Sequence, residues 1–160
     1  MGIYHVAMKR GLTLENIMLA TVLGQLANIG ALNQGLVNIV GKNVGKTISE
    51  YYKESDITLP SDDMELMKFL IERIIDESTS ISEKNGIFTI SVETNKCKVC
   101  PKGIGRAEIP GSVCPVPSLI ASALTDLTGI QYVVVPWDNI HPTRKIENTC
   151  VFKLKKEGKS

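Results

Sequence analysis

Apolar and polar residues alternate over Ile87 to Glu93, with Phe88, Ile90 and Val92 on one side and Thr89, Ser91 and Glu93 on the other. A period of two predicts a half-buried strand. A second alternating run, Ile146 to Lys155, places Cys150, Phe152 and Leu154 on one face and predicts another strand. Ile130 to Val135, closed by Pro136, predicts a third. Helical spacing governs elsewhere. Residues from about Thr13 to Glu54 read as two helices broken near Gly41 or Gly45. In the second of them Val37, Val40, Val44 and Ile48 share a face, and Gln34, Asn38, Lys42 and Lys46 share another. Pro60 ends a short loop, Ser61 and Asp62 are capping residues, and Glu65 lies three after Asp62. These predict a helix with Met67, Leu70, Ile71, Ile74 and Ile75 on its apolar face, stopping before Asn85-Gly86. Pro117 and Ser118 open a third helix, with Leu119, Ala123, Leu124 and Leu127 inward and Gly129 as its stop. Helices first, then strands around one helix, predict an α+β domain. N-terminal helices precede a mostly antiparallel sheet that carries helices on one face.

The chain has 160 residues, 43% of them apolar, enough for a single domain with a real core. We read residues 1–160 as that domain, with its core at about 11–155. A net charge of +1 supplies no bulk attraction toward nucleic acid, and 5% aromatic residues make a poor stacking platform for single strands. No charge occurs between Glu15 and Lys42, but Gln25, Asn28, Asn33, Gln34 and Asn38 interrupt that stretch. Five amides in hydrocarbon would be costly, so a buried helix is expected rather than a membrane span. Gly24, Ala27, Ala31 and Gly35 form a small-residue stripe that admits another helix at close range, including one from a second copy. The start of the chain lacks a basic segment followed by an apolar one, which predicts a cytoplasmic, reducing setting.

In such a setting the four cysteines point to metal or redox chemistry rather than disulfides. Cys97 and Cys100 form a C-x2-C pair followed by Pro101, Lys102 and Gly103; Cys114 follows 14 residues later, and Cys150 sits in the last strand. Two thiolates at that spacing reach one ion, and the Pro and Gly allow a tight turn that aims N–H groups at the sulfurs. One Zn²⁺ held by Cys97, Cys100, Cys114 and Cys150 is the leading reading. Four thiolates leave no open position, so the ion would be structural. An iron–sulfur cluster takes the same ligands. His141 and His5 are alternatives for the fourth position, and Cys150 is otherwise a small buried hydrophobe. A redox C-x-x-C normally opens a helix, and Pro101, Gly103 and Gly105 argue against one here. Arg106 and Glu108 read as solvated loop charges. The run Gly41 to Thr47 is too short between its glycines for a phosphate loop and lies in a helical pattern. Asp62 and Asp63 are capping residues rather than a catalytic pair, and Trp137 belongs at the sheet edge or on a pocket wall. No catalytic residue is assigned.

Taken together, the glycine-punctuated region Gly24 to Gly45, the C-x2-C pair, Cys114-Pro115 opening a helix, and the strand Glu147-Asn148-Thr149-Cys150-Val151-Phe152 resemble the 4-vinyl reductase domain family. The resemblance spans about Gly11 to Lys155 and extends to an archaeal member. Where other members carry Gly-Trp-Gly before the central strand, this chain has Asn85-Gly86-Ile87. The family is similar in fold to subunits of the TRAPP vesicle-tethering complex. The resemblance implies an α+β fold, dimerisation through the N-terminal helices, an apolar cavity beside the sheet, and binding of a hydrocarbon or other small molecule. It transfers no reaction, because no nicotinamide or flavin fingerprint is present. The expectation is a homodimeric binding module, regulatory or carrier, with a pocket lined by Ile90, Val92, Leu124, Val134, Phe152 and Leu154. Two alternatives stand beside it: a reductase or thiol-redox enzyme using Cys97 and Cys100, and a protein-interaction or assembly subunit.

Overall fold

A computed structural model describes residues 2–102, 104 and 113–158. Gly103, Gly105, Arg106 and Glu108 lie outside the described residues. The sheet is antiparallel throughout, as its alternating strands predict. Its order is β1 (Ser80–Lys84), β2 (Ile87–Glu93), β5 (Thr149–Lys156) and β3 (Tyr132–Val135), with β4 (Thr143–Ile146) also on β5. Register places Phe88 opposite Leu154, Ile90 opposite Phe152 and Val92 opposite Cys150. One face of the sheet therefore presents a continuous apolar patch. α4 (Asp63–Ile74) and α5 (Val116–Thr128) cover it with Met67, Leu70, Ile71, Ile120 and Leu124, all fully buried. Asp62 caps α4 by accepting from the N–H groups of Met64 and Glu65 at 2.9 and 3.0 Å. Gly129 ends α5 in the left-handed region at φ 68°. The domain is α+β.

Several boundaries differ from the sequence expectation, each for a physical reason. α1 (Ile3–Arg10) stands where no element was expected. The break between α2 (Leu14–Asn28) and α3 (Gln34–Glu54) falls at Gly30, which adopts φ 72°, not at Gly41 or Gly45. Those two glycines sit inside α3 because α5 crosses there: a Cβ on Gly41 would lie 2.7 Å from the Pro115 carbonyl oxygen, and one on Gly45 2.8 Å from Ser122 Cβ. The face of α3 turned to α5 is thus Val37, Gly41, Gly45 and Ser49, while Val40 and Val44 are exposed. α2 is not buried within one chain either, since Leu14, Met18, Leu19 and Val22 face outward.

The α4 helix stops at Ile74, well before Asn85, and β1 follows. Asn85 and Gly86 take φ 54° and 74° between the paired ends Lys84 and Ile87. Both central residues at positive φ make a type I′ hairpin turn, the form whose twist matches paired strands. Replacing Gly86 by Ala should cost about 1 kcal/mol, because an L side chain resists that conformation. Denaturant unfolding checks this, and an unchanged midpoint would contradict the turn assignment. The last predicted strand is likewise a hairpin, β4 turning through Glu147 (φ 51°) into β5.

β3 and β4 share one edge of β5. Val135 pairs with Lys153 and Thr143 pairs with Phe152, so residues 136–142 loop out between adjacent positions of the same edge. That excursion is tied down by Trp137, whose Nε1 donates to the Val151 carbonyl at 3.0 Å.

Candidate functional site

The strand register explains why cysteines distant in sequence approach one another. Cys150 pairs with Val92, one residue before β2 ends and the chain enters the C-x2-C turn. The Thr94 N–H then donates to the Asn148 carbonyl at 2.8 Å, and Cys97 N–H donates back to Glu93 at 3.2 Å, fixing the turn to that end of the sheet. Cys114 directly precedes Pro115, the N-cap of α5, at the same end. Cys97, Cys100, Cys114 and Cys150 all line one cavity of about 910 Å³. All four are free thiols. A volume of this size suits a small-molecule ligand.

The remaining wall has two characters. Leu23, Ile75, Val92, Val116, Trp137 and Phe152 make it largely apolar. At the side near Cys150 stand Lys102, Arg144 and Lys145, and Lys145 is held below its ordinary pKa by the neighbouring Lys102 amine. Two cations lie over the Trp137 ring, with Lys153 Nζ 3.9 Å and the Arg144 guanidinium 5.6 Å from its centre. His141 also reaches the cavity, but its Nδ1 is engaged by Asp138 at 2.6 Å. His5 is exposed on α1 and does not line the cavity.

Burial raises the pKa of Cys97, Cys114 and Cys150. It pushes Cys97 up to about 11, with the Cys100 sulfur adding to the effect. Cys114 is raised well above the ordinary thiol value by burial and then by Cys97, and Cys150 is raised by burial and then by Cys100. Each cysteine is partly accessible, and each lines the cavity. Thiols are soft donors of the kind that Zn²⁺ or iron takes. Their present placement is open: among the described residues, no three or more Cys, His, Asp or Glu side chains already stand where they would hold an ion.

Of the residues expected on the pocket wall, Val92 and Phe152 line this cavity. Ile90, Leu124 and Leu154 are fully buried in the packed core, and Val134 lines a separate hollow of about 560 Å³ between α3, α5 and β3. The Gly41 to Thr47 run lies within α3, and its two glycines face α5.

Sequence reading did not single out Arg10. It is buried near the end of α1, and its guanidinium reaches the C-x2-C turn. Nη1 donates to the Lys102 carbonyl at 2.9 Å; Nη2 donates to the carbonyls of Cys100, at 2.8 Å, and of Cys97. Its one sequence signal was position, a basic residue just before Gly11 at a helix end. Ile104, just beyond the turn, is buried against Ala7 and Ala20 of α1 and α2.

The fold and this site define an α+β domain with a cysteine-lined cavity at one end of its sheet. The chain belongs to the MJ0207 family, which it matches over residues 30–156. It is 38% identical to the uncharacterized protein MJ1342 of Methanocaldococcus jannaschii over 117 residues, 72% of this chain and 95% of that one. It is 24% identical to the uncharacterized protein MJ0207 of the same organism over 98% of this chain and all of that one. Among solved structures, the phenol-responsive sensory domain of the transcription activator PoxR, bound to phenol, aligns with 15% identity and a TM-score of 0.45. That alignment covers 88% of this chain and 73% of that chain.

No helix among the described residues is long and apolar enough to cross a membrane.

Proposed function

We propose that this chain is a small-ligand-binding domain, regulatory or carrier, in which Cys97, Cys100, Cys114 and Cys150 hold a structural Zn²⁺ beside the ligand pocket. The observation that carries the reading is the convergence of all four thiols on one largely apolar cavity of about 910 Å³. Two of them come from the turn after β2, one from the entrance to α5 and one from β5. Binding an ion would draw these thiols together by side-chain rotation and a small closure of the turn. The bound ion would then brace the wall between turn, helix and strand. Arg10, Lys102 and Lys145 stand near this group, and their positive charge suits a thiolate set carrying net negative charge. The pocket's apolar wall favours a small apolar ligand, and the resemblance to 4-vinyl reductase domains points the same way.

The working form in this reading is a homodimer through the N-terminal helices. Met8, Leu14, Met18, Val22, Ile39 and Val40 are all exposed in the single chain. A helix apolar on most of its faces, as α2 is, ordinarily lies buried. The charge-free stretch from Glu15 to Lys42 means that two copies could meet there without like-charge repulsion.

The thiol-redox alternative requires an activated cysteine with a depressed pKa. Burial drives Cys97 the other way.

Native mass spectrometry of the purified protein tests these points together. The expected species is a dimer carrying one zinc per chain, and Cys150→Ser should lower the zinc content at equal protein folding. Protein that neither carries zinc nor takes it up when added would overturn the metal reading. A monomer at micromolar concentration would overturn the dimer.

A further inference from the structure

We propose that Arg10 is a positioning residue of the cysteine site, and that through it the docking of α1 and α2 is coupled to metal occupancy. This rests on the reading of the four thiols as ligands. One buried guanidinium donates to three carbonyls of a single turn, those of Cys97, Cys100 and Lys102. Two of these carbonyls belong to the proposed ligands themselves, and the third to the residue that faces the cavity from the same turn. The planar fork of arginine fixes several acceptors at once, which a lysine ammonium does not do from one position. The Arg10 side chain therefore sets the curvature of the C-x2-C segment, and with it the direction in which its two thiols point.

The same contact runs in the other direction. α1 reaches the turn through Arg10, and Ile104 closes the join by packing on Ala7 and Ala20. The hydrogen bonds fall on residues 97–102 and the small cluster on Ile104, close by in the chain. A turn made rigid by an ion offers Arg10 three fixed acceptors, whereas a turn free to open does not. Binding free energies are reciprocal: if α1 docking favours the metal-bound turn, metal must favour docked α1 to the same degree. The N-terminal helices also carry the exposed apolar face described above, so metal occupancy would bear on how that face is presented.

The experiment compares the full-length wild type with Arg10→Met and Arg10→Lys. Zinc affinity is read by competition with a chromophoric chelator, and hydrogen exchange of residues 3–28 is followed with zinc and after its removal. Loss of a group that orients metal ligands typically weakens metal binding by about 10- to 100-fold. Arg10→Met should fall in that range, and Arg10→Lys should recover only part of the loss. In the wild type, zinc removal should speed exchange in α1; in Arg10→Met that response should be much smaller. Zinc affinity within twofold of wild type in both variants would overturn the proposal, as would wild-type α1 exchange that ignores zinc. A wild type that binds no zinc would instead sink the metal reading, and this inference with it. If Arg10→Met does not fold, the Arg10→Lys affinity and the wild-type exchange decide the matter.

Discussion

Gly45→Val should destabilise the domain by about 3 kcal/mol, at the upper end of what overpacking a filled interface costs. The position lies in the middle of α3, where a glycine is otherwise a poor choice, about 1 kcal/mol worse than alanine. Its presence is explained by α5. A Cβ there would stand 2.8 Å from Ser122 Cβ and 3.0 Å from the Ala123 backbone nitrogen, and it would also press on the Leu119 carbonyl. Two of these are backbone atoms of a helix, so no side-chain rotation relieves the contact; α3 and α5 must move apart. Gly41 has the same relation to Pro115, and the Ser122 hydroxyl donates to the Lys42 carbonyl at 2.8 Å between them. Separation would therefore break a hydrogen bond as well as van der Waals contact. Gly45→Ala should lose less, about 1–2 kcal/mol, since the gain in helix propensity offsets part of the clash. Lys46→Ala, on the exposed side, should stay within about 0.5 kcal/mol. Urea unfolding measures all three. A Gly45→Val protein as stable as wild type would mean that the two helices do not approach as closely as described.

This interface also shows why part of the fold was legible in sequence and part was not. Strand β2 and the inward face of β5 follow from a period of two, because each residue there meets either the core or solvent. The caps at Asp62 and Gly129 were likewise readable from single residues, since the chemistry of a helix end is local. The glycines of α3 were open to two interpretations. A glycine at a helix break and one at a close helix crossing look alike until the crossing partner is known, and α5 lies some 70 residues further along. The β1–β2 hairpin was within reach: Asn85-Gly86 is the preferred pair for a type I′ turn. It was hidden because Ser80, Ser82, Glu83 and Lys84 are polar and exposed, leaving Ile81 alone to signal an edge strand. The four cysteines could be grouped by residue type. Their shared cavity depends on register, Val92 against Cys150, which no local pattern specifies. Arg10 depends on a contact spanning about 90 residues and on backbone acceptors, which carry no sequence signature at all.

Phe152→Ala should have the largest effect of any single truncation on the cavity wall, a loss of about 4 kcal/mol, within the range for removing a buried aromatic ring. Phe152 is 2% exposed and sits at the crossing of two pairings, with Ile90 on one side and Thr143 on the other. It is also the large residue of the central strand that touches both the packed core and the cysteine-lined cavity. Truncation joins the space left by the ring to that cavity, so the void opens toward polar groups and can admit water instead of remaining sealed and dry. The neighbouring core residues Ile90 and Leu154 would then meet water on a face that is now fully buried. Phe152→Leu keeps most of the apolar volume and should cost about 1.5 kcal/mol at most. Because small domains hold only about 5–15 kcal/mol in total, the alanine variant should unfold at a markedly lower urea concentration. The slope of the transition should stay unchanged if the native fold survives. The comparison must be made at one metal loading, since any ion bound only by the folded chain shifts apparent stability by mass action. A loss below about 1 kcal/mol for Phe152→Ala would show that the ring does not fill the space between sheet and helices. The wall separating core from cavity would then have to be assigned to other residues.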